Sequence, residues 1–406
     1  MNVIVVGGGI GGLAAALMLH ARGIGVELYE QADAVRELGV GINTLPQAIA
    51  ELAGIGLLDR LDAVAVRTRE LRYLNRFGQE VWREARGVDA GHPVPQFSIH
   101  RGRLQAVLRD AVEARLGPGA IRCGRRLVGY EQDAAGVTAR FADRAGREVG
   151  VARGSVLVGA DGIHSFVRGT LAPDEGAPRW TGLMLWRGAR DWPAFLDGRS
   201  MIVAGGLEAK VVVYPIAEGA TPRTRLTNWA VIGRAGAPGT APRREDWSRE
   251  GRWADLAPHV GGFALPLVDA AGLMRATPVF WEYPMCDRDP LDAWTRGRVT
   301  LLGDAAHPMY PVGSNGASQA ILDARALADR LADGGDPTAA LMAYEAERRP
   351  ATAAIVLGNR QGGPEGVIDA VEALAPDGFE DVDAVMPRAA REAIVRGRAG
   401  AAALRA

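Results

Sequence analysis

The apolar pattern at the start of the chain changes from a strand to a helix and back to a strand. Residues 3–6 are consecutive aliphatic residues, and a glycine-rich stretch follows at 7–12. Over 11–22 the apolar residues recur at helical spacing, and 26–30 is a second apolar run that ends on an acid. This order predicts a strand, a tight turn, a helix and a second strand, the unit that begins a parallel sheet.

The later pattern predicts a second, antiparallel sheet inserted into the first unit. Helices are predicted at 45–61, 102–116 and 317–332, and the run at 298–302 returns to the opening sheet. The predicted strands between these segments are 71–75, 79–82, 127–131, 137–141, 155–158, 183–187, 201–204, 210–215 and 226–232. The fold class is therefore α/β: a Rossmann-like domain with an inserted antiparallel β-sheet domain and C-terminal helices.

The length of 406 residues favours two packed domains. The predicted boundaries assign 1–72, 98–180 and 286–335 to the Rossmann-like domain, 73–97 and 181–285 to the inserted domain, and 336–406 to a C-terminal helical region.

Composition narrows the class of partner. The formal net charge of -1 does not steer the chain toward nucleic acid or an anionic membrane, so we expect small-molecule partners and a monomer or homodimer. Cys123 and Cys286 have no disulfide or metal spacing, which is typical of a cytoplasmic protein. No signal peptide or membrane span is expected. Nearly all positive charge is arginine, and Lys210 is the only lysine.

The glycine-rich turn has the spacing of a dinucleotide site. Gly7 permits a tight turn, Gly9 lets the backbone approach a pyrophosphate, and Gly12 allows helix and strand to pack closely. Glu30 follows at the end of the second strand, where an acid binds ribose hydroxyls. A surface acid is the alternative for Glu30, but the order of the elements favours a dinucleotide.

Two later segments place an acid directly after a predicted strand. Asp161, with Arg168 one turn further on, can orient backbone amides and a guanidinium toward phosphate, whereas a plain Asp-Gly turn is the simpler interpretation. Asp304 can bind ribityl hydroxyls, and the loop at 311–316 would bring a helix N-terminus to the pyrimidine edge of a flavin. A metal site at Asp304 and His307 is the competing interpretation, which lacks a third ligand at a recognisable spacing.

In this order the three motifs resemble those of the class A FAD-dependent aromatic monooxygenases, which have the para-hydroxybenzoate hydroxylase fold. The likeness is closer to the 5-methylphenazine-1-carboxylate monooxygenase and salicylate-hydroxylase-like groups, and it covers about residues 1–360. It is more specific for fold and cofactor than for substrate. The segments that carry the closer match are 37–43, 98–102, 186–188, 283–285, 287–290 and 309–311.

The resemblance implies a bound FAD, with NADH or NADPH as electron donor. It implies that the ADP half is bound by Gly7, Gly9, Ile10, Gly11, Gly12, Glu30 and Gln31, with the backbone of Leu127 at the adenine. The remaining implied cofactor residues are Arg101 at the pyrophosphate or ribityl region, Val40 and Gly41 near the isoalloxazine, Asp161 in a segment that serves both FAD and NAD(P)H, and Asp304, Gly313, Asn315 and Gly316 at the ribityl chain and ring.

The resemblance also implies the reaction. NAD(P)H reduces FAD, O2 forms a C4a-hydroperoxyflavin, and an oxygen atom passes to an aromatic or N-heteroaromatic acid such as a phenazine carboxylate, with or without decarboxylation. The flavin carries the chemistry, so no catalytic side chain is assigned. We expect an apolar, aromatic pocket under the inserted sheet, with core packing as the alternative for each residue. The candidates are Trp186, Met201, Tyr214, Trp229, Tyr283 and Pro311, and Arg187 is a candidate partner for a substrate carboxylate.

Two other functions remain open on the sequence. One is a flavoprotein of the same fold that reduces or halogenates instead of using O2 for hydroxylation, although Trp186 and Trp192 are too far apart for the WxWxIP signature of halogenases. The other is a non-catalytic dinucleotide-binding protein.

Overall fold

The computed structural model describes residues 1–34, 40–239, 241, 243 and 249–403. The strands are β1 (Asn2–Val6), β2 (Gly25–Tyr29), β3 (Gly41–Thr44), β4 (Ala65–Thr68), β5 (Glu70–Leu74), β6 (Glu80–Ala85), β7 (Gln96–His100), β8 (Ile121–Arg122), β9 (Arg126–Asp133), β10 (Gly136–Ala142), β11 (Glu148–Gly154), β12 (Val156–Gly159), β13 (Arg179–Pro193), β14 (Ser200–Ala204), β15 (Ala209–Glu218), β16 (Thr224–Arg234), β17 (Trp281–Asp287) and β18 (Val299–Leu301). The α-helices are α1 (Ile10–Ala21), α2 (Pro46–Gly54), α3 (Leu58–Asp62), α4 (Arg101–Leu116), α5 (Phe166–Leu171), α6 (Trp253–Leu256), α7 (Ala270–Ala276), α8 (Gly316–Ala332), α9 (Pro337–Asn359), α10 (Gly366–Leu374), α11 (Val382–Val385) and α12 (Arg388–Ala403).

A parallel sheet in the order β18-β12-β1-β2-β8 forms the base of the fold. Val3, Ile4 and Val5 of the central strand are fully buried, as expected for a strand that is covered on both faces. Parallel strands end at the same edge of a sheet, so the segments after β1, β12 and β18 lie side by side. These segments are the glycine turn and the two that carry Asp161 and Asp304.

Helix α8 has the predicted apolar stripe and packs against α1, α2 and α9. Ile321, Ala324 and Leu327 on this stripe are fully buried. The stripe shares one apolar core with the parallel sheet, and a Cβ atom on Gly303, just after β18, would lie 3.1 Å from the Ala320 Cβ atom near the start of α8. The N-terminus of α8 at Gly316 therefore lies close to the carboxyl edge of that sheet.

The second sheet has the order β17-β13-β16-β15-β14-β5-β6. The predicted strands at 201–204, 210–215 and 226–232 lie in its antiparallel part, together with β13. The predicted hairpin becomes β5 and β6, and β5 pairs in parallel with β14. The predicted α/β class with an additional sheet is confirmed, whereas the exact domain boundaries stay a prediction.

Three elements differ from the sequence prediction. The single helix predicted at 45–61 is two helices, α2 and α3, because the chain turns at Gly56 with a φ of 73°. Strand β11 completes a three-stranded sheet with β10 and β9 and has no clear apolar pattern. Strand β17 lies at the edge of the second sheet, where Pro284 is tolerated because an edge strand need not donate every backbone hydrogen bond.

The C-terminal helices pack onto the second sheet. Val367, Val371 and Val395 share an apolar cluster with Tyr73 and Met201 of that sheet. The sequence pattern predicts the helices but not this packing. None of the helices that the structure describes is both long and apolar enough to cross a membrane.

Candidate cofactor and substrate site

A cleft with a volume of about 380 Å³ runs along the carboxyl edge of the parallel sheet and under the second sheet. Side chains and backbone from both sheets line it. The predicted cofactor residues in its wall are Gly9, Ile10, Gly11, Val40, Gly41, Arg101, Asp304, Asn315 and Gly316. The predicted substrate residues in its wall are Tyr214, Tyr283 and Pro311.

The glycine turn is shaped for a phosphate group. Gly7 has a φ of 111°, and a Cβ atom there would lie 2.2 Å from the Ala160 carbonyl oxygen. A Cβ atom on Gly12 would lie 1.9 Å from the Gly7 carbonyl oxygen, whereas a Cβ atom on Gly9 would meet no atom within 4 Å. Helix α1 begins here without a side-chain cap, so its first amides can bind an anion. This cradle fits a dinucleotide pyrophosphate.

The predicted ribose and adenine residues lie beside the cleft rather than in its wall. Glu30 accepts hydrogen bonds from the amides of Gly8 at 2.6 Å and Ala32 at 2.7 Å, which places its carboxylate against the glycine turn. Gln31 follows it and is exposed. Leu127 is a buried residue of β9, so only its backbone is available to a ligand.

Asp161 and Arg168 stabilise the polypeptide itself. The Asp161 carboxylate accepts hydrogen bonds from the Ser165 hydroxyl at 2.5 Å and the Phe166 amide at 2.7 Å. Burial raises the pKa of Asp161, and these hydrogen bonds oppose the shift. Arg168 is fully buried and donates to the carbonyl oxygens of Ala305 and Ala306, so the expectation that it points toward phosphate is wrong. It joins the segment after β12 to the segment after β18 instead.

The Asp304 carboxylate opens onto the cleft, where Arg101 also lies. Surrounding protein atoms desolvate it and raise its pKa, while His307 and Arg101 act in the opposite direction. His307 is engaged with Asp323, because its Nε2 atom lies 2.5 Å from Asp323 Oδ2. Asp323 also accepts from the Gly303 amide at 3.1 Å, so this buried pair fixes the backbone beside Asp304.

The second sheet holds the Gly41 peptide from both sides. The Gly41 amide donates to Asn228 Oδ1 at 2.7 Å, and its carbonyl oxygen accepts from the Tyr214 hydroxyl at 2.8 Å and from Arg187. Burial raises the pKa of Tyr214 to about 12, so the phenol keeps the proton that it donates. Arg187 also donates to the Tyr283 hydroxyl at 3.0 Å. These contacts fix the position of one wall of the cleft.

Residues 37–39 belong to the segment 37–43 that carries part of the family resemblance, and they lie outside the described residues.

A second cavity continues from the cleft under the second sheet. The two cavities share Asn43, Leu185, Arg187, Tyr214, Pro311 and Ser314. Of the predicted residues, Met201 and Gly313 line only this second cavity. Its other walls include Val203, Val212 and Ile232, which are apolar, and Arg86, Gln96 and Glu365, which are polar. The second cavity thus extends the cleft by about 80 Å³ between mostly apolar side chains.

Two of the predicted pocket aromatics are corrected by the structure. Trp186 and Trp229 belong to the apolar core on the opposite face of the second sheet, because side chains alternate between the faces of a strand. The Trp186 indole donates to Glu282 Oε2 at 3.1 Å and the Trp229 indole to Thr277 Oγ1 at 2.9 Å. Leu185 and Arg187, the neighbours of Trp186, line the cavities instead.

The comparisons with known proteins agree with this geometry. The family model described as the FAD binding domain matches residues 1–358. Phenazine 1,6-dicarboxylic acid hydroxylase PhzS of Lysobacter antibioticus is 44% identical over 366 residues, which cover 88% of this chain and 89% of that protein. This chain belongs to the FAD-dependent aromatic hydroxylases. Salicylate hydroxylase of Pseudomonas putida is 32% identical over 382 residues, which cover 86% of this chain and 82% of that protein.

A solved structure shows the same fold with the cofactor. The crystal structure of an HpxO variant from Klebsiella pneumoniae complexed with FAD matches with a TM-score of 0.77 at 25% identity, covering 99% of this chain and 98% of that one. Membership in the family makes this chain an enzyme with FAD as its cofactor and NAD(P)H as its electron donor. The relatives are hydroxylases, which argues against the reductase, halogenase and non-catalytic alternatives.

A variant of Trp186 tests whether this side chain contributes to the apolar core or to the substrate pocket. In Trp186→Phe we expect the KM for an aromatic substrate to stay within about twofold, while the free energy of unfolding falls by about 1–2 kcal/mol because buried area and an indole hydrogen bond are lost. Met201→Ala is the matched variant on the cavity side and should raise the KM. Steady-state kinetics and thermal unfolding measure the two effects, and a large KM increase in Trp186→Phe would contradict the assignment.

Proposed function

We propose that the chain hydroxylates an aromatic or N-heteroaromatic carboxylic acid, with a phenazine carboxylate as the first candidate. The observation that carries the proposal is the cofactor cleft that continues into a mostly apolar cavity, with Arg187 at their junction. The structure places no carboxylate of its described residues within ion-pair distance of Arg187, so an anionic substrate can supply the missing countercharge. The identity to PhzS of Lysobacter antibioticus supports a phenazine acid.

We propose for the cofactor residues the roles that the family resemblance implies. The amides at the start of α1 bind the pyrophosphate, and Gly7 and Gly12 shape the turn that presents them. Asp304 binds the ribityl hydroxyls. The other proposed contacts are Glu30 and Gln31 with the ribose, the Leu127 backbone with the adenine, Arg101 with the pyrophosphate or ribityl chain, and Val40, Gly41, Gly313, Asn315 and Gly316 with the flavin ring. The Asp161 segment serves both FAD and NAD(P)H.

Bound FAD supplies electron transfer from NAD(P)H and the activation of O2. The protein orients the ring of the substrate and excludes water. Leu185, Met201 and Ile232 form an apolar wall, and the positive charge of Arg187 attracts the carboxylate of the substrate. Helix α8 begins without a side-chain cap, so its N-terminal dipole stabilises negative charge that develops nearby.

An activity screen tests the substrate class. The purified protein, reconstituted with FAD, is supplied with NADH or NADPH and with phenazine-1-carboxylate, phenazine-1,6-dicarboxylate, salicylate or nicotinate. We expect a phenazine acid to stimulate NAD(P)H oxidation and O2 uptake most strongly and to yield a hydroxylated product by mass spectrometry. Stimulation that yields only hydrogen peroxide would identify an effector. A colourless protein that does not bind FAD would overturn the proposal.

We further propose that the protein is a cytoplasmic monomer or homodimer without a nucleic-acid partner. The formal net charge of -1 and the absence of a disulfide spacing in the sequence support this proposal.

A further inference from the structure

Residues 359–365, which form the end of α9 and the turn after it, pack directly against the loop at 310–314 between the two cavities. Asn359 Nδ2 donates to the Tyr310 carbonyl oxygen at 3.0 Å. A Cβ atom on Gly363 would lie 2.7 Å from Val312 Cγ1, which shows how closely the two segments pack. Glu365 accepts from the Gly313 amide at 3.4 Å and also lines the second cavity. The turn is therefore a support for the loop.

Lys210, the only lysine of the chain, anchors this support to the second sheet. It lies on β15, is 2% exposed, and pairs through its ammonium group with Glu365 Oε2. Lysine is almost never fully buried unless it is paired. The Glu365 carboxylate thus uses one oxygen for Lys210 and the other for the Gly313 amide.

The supported loop has a conformation that needs outside contacts. Gly313 has a φ of 66° and Ser314 a φ of 59°. Left-handed backbone at a residue other than glycine persists only where surrounding structure holds it. Ser314 lines both cavities, and the loop leads into the N-terminus of α8. Small displacements of groups that position a substrate can reduce a rate by about two orders of magnitude.

We propose that Glu365, anchored by Lys210, is a positioning residue that fixes 312–314 between cofactor and substrate and thereby couples NAD(P)H oxidation to hydroxylation. The inference rests on the proposed function. In the coupled reaction NAD(P)H, a proton, O2 and the aromatic substrate give NAD(P)⁺, water and the hydroxylated product. In the uncoupled reaction NAD(P)H, a proton and O2 give NAD(P)⁺ and hydrogen peroxide. Glu365 lies beyond residue 358, where the match to the family model ends.

The double variant Lys210→Met with Glu365→Gln tests this proposal, because it removes both charges and leaves neither buried charge without its partner. We expect FAD affinity to fall at most a few-fold, because Gly313 is one of many proposed contacts to FAD and the others are unchanged. Loss of the charged acceptor should make hydrogen exchange of the amides at 312–314 about tenfold faster. The share of NAD(P)H that ends as hydrogen peroxide should rise several-fold with the best substrate. Mass-spectrometric hydrogen exchange, FAD titration and peroxide assays measure the three effects.

Arg391→Met is the matched control. Arg391 is another buried cation that joins the C-terminal region to the second sheet, by donating to the Val81 carbonyl oxygen at 2.5 Å. We expect it to lower thermal stability without changing exchange at 312–314 or the peroxide share.

Parent-like exchange and peroxide share in the double variant would overturn the proposal, as would equal changes in the Arg391→Met control. If the parent protein hydroxylates none of the acids, the proposed function is rejected. The role of Glu365 in coupling is then rejected too, but its support of the loop is still tested by hydrogen exchange. Unchanged exchange at 312–314 would in that case also reject the support of the loop.

Discussion

Replacement of Asp304 by alanine is expected to weaken FAD binding about 10- to 100-fold. The carboxylate opens onto the cleft near Arg101, and the Asp323–His307 pair fixes the backbone beside it. A hydrogen bond to a charged group contributes about 1.5–3 kcal/mol, and 1.4 kcal/mol corresponds to a tenfold change in affinity. Titration of the apoprotein with FAD, followed by flavin fluorescence, measures the change.

Two further variants make the Asp304 result specific. Asp304→Asn keeps the shape and removes the charge, so it should bind FAD with intermediate affinity. Asp333→Ala removes an exposed acid at the end of α8 and should leave FAD affinity unchanged. If Asp304→Ala keeps full FAD affinity, the assignment of this carboxylate to the ribityl chain is wrong, although membership in the family stands.

Arg187→Met should lower kcat/KM for an aromatic carboxylate by about 100-fold while FAD affinity changes only a few-fold. The variant removes the guanidinium that binds the Gly41 carbonyl oxygen and the positive charge at the junction of the cavities. A 100-fold effect corresponds to about 2.8 kcal/mol, which lies within the about 1.5–3 kcal/mol that one charged hydrogen bond contributes. Steady-state kinetics with phenazine-1-carboxylate and with uncharged phenazine separate the two contributions.

The two substrates give different outcomes if Arg187 binds the carboxylate. The loss of kcat/KM in Arg187→Met should then be larger for phenazine-1-carboxylate than for phenazine. Tyr283→Phe is the control, because it removes a hydroxyl that accepts from Arg187 and keeps the charge. Equal losses for both substrates would mean that Arg187 acts only through Gly41, and no loss for either would reject its role at the site.

The candidate site was predictable where function depends on the backbone at the end of a strand. Gly7, Gly9 and Gly12 have the conformations or contacts that their spacing predicts, because a tight turn before a helix admits few other residues. Asp304 lies at the cleft for the same reason, since the carboxyl ends of parallel strands share an edge. Trp186 and Trp229 could not be assigned, because a long apolar strand does not show which of its faces meets the cavity.

Residues that act through tertiary contacts were not found from the sequence. Asn228 follows Thr227 in a strand that is otherwise apolar over 226–232, and its partner at Gly41 is 187 positions away. Glu365 lies in a region without a recognisable motif, and the uniqueness of Lys210 was the only signal that could have drawn attention to the pair.

The sequence alone determined the fold class and a dinucleotide site, because the strand, turn and helix that bind a dinucleotide are local structures with local residue requirements. The cofactor and the reaction class came from the resemblance of the three motifs to a known family. Tertiary structure alone decided which face of the second sheet borders the cavities, how Arg187, Tyr214 and Asn228 hold Gly41, and how the C-terminal turn supports the loop at 312–314. These features join segments that are distant in sequence, and their energies depend on packing and burial that only the folded chain creates.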